Sequence, residues 1–215
     1  MKKYLLFDLD GTLTDSALGI TNSVRYALRK FGIEETDHAR LCSFVGPPLY
    51  DSFRELYGMS HEDANLAIVY YREYYVSKGL YENTVYDGVR EMLEALSSGG
   101  RKIILATSKP ERFAREILKN FSLDRYFYGV FGATMDEKLC KKDNIIALAL
   151  EKLDIPYDDA VMIGDRKYDI LGGRKFGLTS VGVLYGYGGR EELTDAGAYC
   201  IASTVNELKK ILEKI

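Results

Sequence analysis

The sequence predicts an α/β fold: a doubly wound, mostly parallel sheet interrupted by an all-helical insertion. From about residue 83 onward, short apolar runs alternate with single amphipathic segments, as in parallel sheets with right-handed helical crossovers. Residues 16–78 instead carry almost only helical signals, although an apolar, strand-like run precedes them. We therefore expect a core domain of residues 1–15 and 81–215 and an inserted helical domain of residues 16–80.

The insertion is predicted to contain four helices. They cover residues 16–31, 36–44, 49–57 and 60–77. Ser16 is the expected N-cap of the first helix, and Pro47 or Pro48 suits the first turn of the third. Gly32 and Gly79 follow the first and last helices, where a glycine commonly ends a helix.

The remaining elements are predicted to form the sheet and the helices that cover it. Strands are expected at residues 4–7, 102–106, 129–134, 160–163, 180–184 and 199–202. Helices are expected at residues 88–97, 110–120, 142–153, 168–176 and 205–215. The run at residues 4–7 is apolar and rich in aromatic side chains, which is the pattern of a buried central strand. In such sheets, ligands bind beyond the carboxyl ends of the strands, near the point where the strand order reverses.

Composition and charge describe an ordinary globular protein. The 215 residues carry a net charge of −3 and 47% are hydrophobic, so no surface for a nucleic-acid polymer or an anionic membrane is expected. Cys42, Cys140 and Cys200 are far apart and form no CxxC motif, which argues against a disulfide framework and a zinc site. The N-terminus does not resemble a signal peptide and no apolar run approaches membrane-spanning length, so we expect a cytoplasmic protein.

Polar side chains gather where the predicted strands end. They are Asp8, Asp10, Thr107, Ser108, Lys109, Lys142, Asp165 and Asp169. Asp8 and Asp10 are two positions apart on an extended chain, so both carboxylates are expected to face the same point. Gly11 permits a tight exit from the strand and is expected to leave its N–H free for an anion. Each residue alone suits a turn, a helix cap or a solvated surface, but the joint arrangement indicates a site.

The residue types in this arrangement suit phosphoryl transfer. Two or three carboxylates with water molecules form an octahedral Mg²⁺ site, and Mg²⁺ readily shares its ligands with a phosphate. An aspartate can attack phosphorus and become an aspartyl-phosphate, which divides hydrolysis into two displacements. A hydroxyl group, backbone N–H groups and a lysine can hold the phosphoryl oxygens. His38 and His61 lie in the predicted insertion and are expected at the surface or at helix caps.

Four segments resemble the motifs of the haloacid dehalogenase (HAD) superfamily of phosphatases. They are FDLDGTLTDS at residues 7–16, ATSKP at 106–110, Lys142, and IGDRKYD at 163–169. The resemblance implies a HAD-like Rossmannoid core, and the helical insertion is similar to the type-1 cap of this superfamily. VGPPL at 45–49 and VLYGYG at 183–188 resemble the branch that contains phosphoglycolate phosphatases and similar 5′-nucleotidases.

The resemblance implies a role for each acidic residue. Asp8 would be the nucleophile and a Mg²⁺ ligand, and Asp10 would act as general acid and then base while giving Mg²⁺ its backbone carbonyl. Asp165 would bind Mg²⁺ directly, with Asp169 behind it, acting through water or by holding Lys142. Ionised Asp8, Asp165 and Asp169 would balance Mg²⁺ and Lys142, which favours a protonated Asp10 that can donate to the leaving group.

The resemblance also implies the groups that bind the substrate. The phosphoryl group would contact Thr107, Lys142 and the backbone at Leu9, Asp10, Gly11 and Ser108. The spacing to the following helix favours Lys142 as the motif lysine, with Lys141 as the alternative and Lys138 also nearby. In the helical cap, Gly46 and Arg54 are candidates for substrate contact, although Arg54 equally suits a solvated surface.

These implications describe a Mg²⁺-dependent hydrolase that acts on phosphomonoesters of small metabolites through an aspartyl-phosphate. The resemblance implies an activity similar to that of phosphoglycolate phosphatases or 5′-nucleotidases. The expected partner is a small phosphorylated metabolite, with no nucleic-acid polymer and no membrane, and the protein is expected to be a monomer or a homodimer.

Other functions are compatible with parts of the pattern. A β-phosphoglucomutase-type phosphotransferase would share these motifs but return the phosphoryl group to a sugar. A pyrophosphatase, which hydrolyses a phosphoanhydride, is a further alternative. A dehalogenase needs no acid for a halide leaving group, so Asp10 argues against it. A receiver-like phosphorylation module also forms an aspartyl-phosphate, but such modules are shorter and lack a helical insertion.

Overall fold

A six-stranded parallel sheet lies at the centre of one of the two units that the chain forms. The computed structural model describes residues 1–136 and 138–215. The sheet unit comprises Met1–Thr14 and Val85–Ile215, and the helical unit comprises Asp15–Thr84. Each helix within the described residues is too short or too polar to cross a bilayer.

The strands and helices follow one another in the order that the sequence pattern predicts, with a few additions. The strands are β1 Tyr4–Phe7, β2 Thr14–Asp15, β3 Thr84–Val85, β4 Lys102–Pro110, β5 Phe127–Ala133, β6 Ala160–Gly164, β7 Thr179–Val183 and β8 Cys200–Ala202. The helices are α1 Ala17–Lys30, α2 His38–Cys42, α3 Leu49–Tyr57, α4 His61–Tyr74, α5 Val89–Ser98, α6 Glu111–Asn120, α7 Lys142–Lys152, α8 Lys167–Lys175, α9 Arg190–Asp195 and α10 Val205–Leu212.

The strand order of the sheet places β1 at its centre. The order is β5-β4-β1-β6-β7-β8, and all pairings are parallel. Phe7, the last residue of β1, pairs with Leu105 on one side and with Ile163 on the other. The chain runs outward from β1 through β4 to β5, then returns to β6 and continues in the opposite direction. This reversal is a topological switch point, and the predicted parallel α/β fold is confirmed.

The core beneath the sheet determines where α7 begins. Ile145 and Ile146 of α7 are completely buried in one cluster with Ile104 and Met162 of the sheet. Removing each such side chain from water stabilises the fold by about 1.5–3 kcal/mol, so the orientation of α7 is strongly fixed. Because these contacts lie one turn inside the helix, its first residue, Lys142, is held at the edge where the strands end.

The helical unit contains its own core. Helix α1 packs on α4, and α3 also contacts α4. The rings of Phe44 and Phe53 meet edge to face with centroids 4.9 Å apart. The prediction that Ser16 caps α1 is only half right, because Ser16 occupies the N-cap position without a capping side-chain hydrogen bond. Instead, the Asp15 carboxylate accepts a hydrogen bond of 3.1 Å from the Ala17 N–H.

Strand β4 is longer than predicted. The polar run after residue 106 was expected to end the strand, but β4 pairs with β5 as far as Pro110, after a register shift beyond Thr107. Gly132 on β5 permits this shift, since a Cβ there would lie 2.6 Å from the Glu111 Cα and 2.7 Å from the Lys109 carbonyl oxygen. The polar residues Thr107, Ser108 and Lys109 therefore lie within β4, on an extended strand.

Other differences involve short or irregular elements. The pattern predicts one helix over residues 60–77, whereas α4 ends at Tyr74 and continues as a π-helical turn, Tyr75–Gly79. Helix α9 was not predicted because its six residues are mostly polar and only Leu193 is buried. The two-residue strands β2 and β3, which pair with each other, are too short for a sequence period to reveal.

Candidate active site

A lysine ammonium lies between two buried carboxylates beyond the carboxyl ends of the central strands. Lys142 Nζ is 2.7 Å from Asp8 Oδ1 and 2.8 Å from Asp169 Oδ1. It also donates a hydrogen bond of 3.0 Å to the carbonyl oxygen of Ala106. Four separate elements therefore meet here: the end of β1, strand β4, the start of α7 and the first turn of α8.

The charge of Lys142 is sustained by its two neighbours. Burial alone would lower the pKa of this ammonium, since it removes a charged group from water. The carboxylates of Asp169 and Asp8 overcome that effect and raise the pKa of Lys142 above its usual value. The lysine is therefore a fixed positive charge at neutral pH.

Asp169 is held against β6 by its backbone surroundings. Its Oδ2 accepts a hydrogen bond of 3.1 Å from the N–H of Arg166, the N-cap residue of α8. Gly164 makes room for this carboxylate, because a Cβ at Gly164 would lie 2.1 Å from Asp169 Cγ. Burial raises the pKa of Asp169 to about 6, with Lys142 lowering it and Asp8 raising it.

Asp165 follows β6 and is completely buried. Its Oδ2 accepts a hydrogen bond of 2.8 Å from the Tyr187 N–H. Its Oδ1 is also buried and accepts no hydrogen bond from any described residue. Burial, followed by the nearby carboxylates of Asp169 and Asp8, raises the pKa of Asp165 well above its usual value.

Asp8, Asp165 and Asp169 fit a hard divalent cation. One carboxylate oxygen from each residue lies within 4.8 Å of the other two, and all three residues are buried. The Oδ1 of Asp165 is an available ligand atom, and a buried carboxylate is costly to ionise unless a positive charge compensates it. Oxygen donors of this kind are those that Mg²⁺ prefers in proteins.

Asp10 forms an ion pair that the sequence reasoning missed. Lys109 Nζ lies 2.8 Å from Asp10 Oδ2, and the two side chains are only 5% and 11% exposed. In the sequence, Lys109 belongs to the polar run at the end of β4 and no pattern assigns it a separate role. The available signal was its place in the polar run at the end of the strand, next to Thr107 and Ser108.

Lys109 also changes the charge balance expected from the sequence. That balance set the positive charges of one lysine and a divalent cation against the negative charges of three ionised aspartates. With Lys109 included, four ionised carboxylates, two ammonium groups and a divalent cation are neutral together. Lys109 therefore adds a second positive charge to the site, in direct contact with the Asp10 carboxyl group.

The structure also describes the other residues that were expected to bind the phosphoryl group, and it contradicts one expectation. Thr107 is buried and its Oγ1 accepts a hydrogen bond of 3.3 Å from the Lys109 N–H, while Leu9 is buried and Ser108 is half-buried. The expectation that the Gly11 N–H is free for an anion is wrong, because it donates 2.8 Å to the Thr14 carbonyl oxygen. Gly11 instead supplies a turn with φ of 80°.

The structure separates the competing lysines. Lys141 is exposed at the N-cap of α7, and the Lys138 side chain is 86% exposed beside Asp136. The geometry therefore favours Lys142 over both.

The two candidates from the insertion lie in the helical unit. Gly46 precedes α3 with φ of 105°. Arg54 is exposed on α3 and donates a hydrogen bond of 3.2 Å to the Tyr50 hydroxyl group.

Comparison with known proteins relates this arrangement to one family. Residues 5–183 match the family model described as haloacid dehalogenase-like hydrolase. A 5′-nucleotidase from Pseudomonas aeruginosa is 43% identical over 209 residues, which cover 97% of this chain and 95% of the relative. A phosphoglycolate phosphatase from Colwellia psychrerythraea is 32% identical, with 96% of this chain and 95% of the relative covered.

Two further proteins are similar to this chain over most of its length. The tyrosine-protein kinase PtkA of Mycobacterium tuberculosis is 37% identical over 97% of this chain and 72% of its own length. The crystal structure of a predicted phosphatase from Clostridium acetobutylicum superposes with a TM-score of 0.97 at 49% identity, and the match covers 100% of both chains. Both units of the chain thus have counterparts in these proteins.

Proposed function

The chain belongs to the haloacid dehalogenase-like hydrolase family and is a phosphatase of that family, and we propose that it hydrolyses phosphomonoesters of small metabolites through a phosphorylated Asp8. The observation that carries the proposal is the buried cluster in which the Lys142 ammonium touches both Asp8 and Asp169. A free oxygen of Asp165 lies beside them. The proposed nucleophile Asp8 thus lies in one buried cluster with its counter-charge, Lys142, and with the carboxylates that would bind a cation.

In the proposed first step, the Asp8 carboxylate attacks phosphorus and the bond to the leaving oxygen breaks. Lys142 holds the Asp8 carboxylate in place and limits its repulsion of the incoming phosphate. Asp10 gives the leaving oxygen a proton as the bond breaks. Thr107, which is buried on the strand next to β1, would hold a phosphoryl oxygen through its hydroxyl group.

In the proposed second step, Asp10 takes a proton from water as that water attacks the phosphorus of the aspartyl-phosphate. Phosphate leaves and the Asp8 carboxylate is restored, so the two steps return the site to its first state. Asp8, Asp165 and Asp169 would hold Mg²⁺, with the Asp10 carbonyl as a further ligand. When bound, Mg²⁺ supplies positive charge against the phosphoryl oxygens.

Phosphoglycolate and nucleoside 5′-monophosphates are the proposed substrate types, supported by the relatives that carry those names. Gly46 and Arg54 remain candidates for recognising the part of the substrate that leaves. We place the protein in the cytoplasm, where such small phosphate esters occur. A mutase would need a bisphosphate primer, and a pyrophosphatase would prefer pyrophosphate to any ester.

A hydrolysis panel tests this proposal. Purified protein with Mg²⁺ is expected to release phosphate from 2-phosphoglycolate or a nucleoside monophosphate faster than from sugar phosphates or pyrophosphate, and EDTA should abolish the release. Asp165→Asn should abolish it while the urea midpoint shows a folded protein, because the substitution removes a metal ligand. Asp195→Asn is the control, since Asp195 is exposed at the end of α9. Full phosphate release in EDTA would refute the proposed metal dependence.

A further inference from the structure

The loop that follows β7 wraps closely around Asp165. We call residues 185–188 the 185–188 loop; their sequence is YGYG. Its Tyr187 N–H donates the hydrogen bond of 2.8 Å that occupies Asp165 Oδ2. The other oxygen, Oδ1, is buried and accepts no hydrogen bond from any described residue. The two oxygens of this carboxylate are therefore distinguished by the loop: one is held and one is left available.

The contact depends on glycines that carry no side chain. A Cβ at Gly186 would lie 2.2 Å from the Gly11 carbonyl oxygen and 2.6 Å from Asp165 Oδ2. A Cβ at Gly188 would lie 1.9 Å from the Asp165 carbonyl oxygen, and one at Gly11 would lie 2.2 Å from Asp165 Oδ2. Real Cβ atoms essentially never approach other atoms this closely. Three glycines from two loops thus pack against Asp165, two of them against its carboxylate and Gly188 against its backbone carbonyl.

The backbone conformation does not explain the glycine at position 186. Gly11 has a positive φ of 80°, so its identity has a conformational cause, whereas Gly186 is not among the glycines with positive φ. Space is therefore the reason for Gly186. A methyl group at this position must displace either the turn after β1 or the Asp165 side chain.

Aromatic residues fix the other side of the loop. The Tyr185 hydroxyl group donates a hydrogen bond of 3.1 Å to the Thr12 carbonyl oxygen. The Tyr185 ring meets the Tyr86 ring edge to face, with centroids 5.2 Å apart. Thr12 belongs to the turn that follows Asp8 and Asp10, so the same loop contacts the β1 turn and the β6 carboxylate.

From these contacts we infer that the 185–188 loop is a positioning element for the divalent cation. It holds Oδ2 of Asp165 by a hydrogen bond and leaves Oδ1 available to the cation that Asp8 and Asp169 would share. A single, oriented oxygen suits Mg²⁺, which demands nearly octahedral geometry and is bound by few protein carboxylates. Hydrogen-bond partners behind a metal ligand change the metal affinity of proteins by about 10- to 100-fold when they are removed. This inference rests on the metal site of the proposed function.

The test compares two substitutions in adjacent parts of the chain. Gly186→Ala introduces a methyl group into the contact with Asp165 and Gly11, whereas Gly189→Ser introduces a side chain into open space, with no atom within 4 Å of its Cβ. Serine is also a favourable N-cap for α9, so the control should keep the helix. The measured quantity is the affinity of metal-free protein for Mn²⁺, obtained from the electron paramagnetic resonance signal of free Mn²⁺ during titration.

We expect Gly186→Ala to bind Mn²⁺ about 10- to 100-fold more weakly than the parent protein, and Gly189→Ser to bind it as tightly as the parent. Far-ultraviolet circular dichroism and urea unfolding establish that both variants are folded. Equal Mn²⁺ affinity in the parent and in folded Gly186→Ala would overturn the inference while leaving the proposed function intact. A parent protein that binds no Mn²⁺ would overturn both.

A second variant removes the hydrogen bond itself and is decisive if Gly186→Ala does not fold. Replacing the peptide N–H of Tyr187 with an ester oxygen, with the tyrosine side chain kept, deletes the donor to Asp165 Oδ2 without adding any atom to the contacts of the three glycines. We expect this protein to lose Mn²⁺ affinity as well. Unchanged affinity in the ester variant would refute the role of the 185–188 loop.

Discussion

Asp10→Asn is expected to slow the hydrolysis of alkyl phosphates by about two to four orders of magnitude, the range typical of general acid–base catalysis. An alkoxide is a poor leaving group and needs a proton, which asparagine cannot supply. The substitution keeps the size of the side chain, and its amide oxygen can still accept from the Lys109 ammonium, which lies 2.8 Å from Asp10 Oδ2. The expected loss is therefore one of proton transfer rather than of structure.

The same variant should behave differently with p-nitrophenyl phosphate. Nitrophenolate leaves well at neutral pH without a proton, so Asp8 should still be phosphorylated. The second step needs a base and should then stall. We expect a burst of nitrophenolate, about one per active site, followed by slow turnover, as measured by stopped-flow absorbance. Asp8→Asn should give no burst. Equal slowing of both substrates by Asp10→Asn, without a burst, would show that Asp10 has another role.

Lys142→Met is expected to lower the free energy of unfolding of the metal-free protein by about 3–5 kcal/mol at pH 7, the usual cost of removing one partner from a buried ion pair. The ammonium is 2.7 Å from Asp8 and 2.8 Å from Asp169, and all three side chains are less than a tenth exposed. Methionine has a similar length but leaves both carboxylates without a counter-charge. Catalysis should fail as well, because the nucleophile is no longer held.

The pH dependence separates this electrostatic effect from poor packing. Lys142 lowers the pKa of Asp169, which is about 6, so the pKa should be higher still in the variant. The parent fold takes up this proton only as the pH falls through about 6, whereas the variant fold already holds it at a higher pH. Lowering the pH from 7 to 5 therefore stabilises the variant more than the parent, and the stability difference between them should shrink. Urea unfolding at both values measures it. Lys141→Met, at an exposed position, is the matched control and should resemble the parent. A difference that is the same at both pH values would contradict the electrostatic explanation.

The sequence predicts the parallel sheet and most of the acidic cluster because these depend on local patterns. Asp8 and Asp10 directly follow a buried strand, and Asp165 follows another, so adjacent strands suffice to bring them together. The spacing to the following helix already favours Lys142 over Lys141, but the exact placement of the Lys142 side chain is not visible in the sequence. It depends on how Ile145 and Ile146 pack beneath the sheet, because that packing sets the rotation of α7.

The missed features depend on contacts between distant parts of the chain. Lys109 reaches Asp10 because β4 stays extended past Thr107, and the room for that comes from Gly132 on another strand. The Gly11 N–H was wrongly expected to be free because its hydrogen bond to Thr14 exists only in the folded turn. No local pattern reveals such hydrogen bonds.

Chemical trapping is the most direct test of a covalent intermediate on Asp8. Protein mixed with Mg²⁺ and excess substrate is quenched in acid within milliseconds, reduced with borohydride and digested for peptide mass spectrometry. An aspartyl-phosphate is reduced to homoserine under these conditions, whereas a free aspartate is not. We predict homoserine at Asp8, in larger amount in Asp10→Asn with p-nitrophenyl phosphate, and none in Asp8→Asn. Full turnover with unmodified Asp8, or homoserine at a different aspartate, would contradict the mechanism.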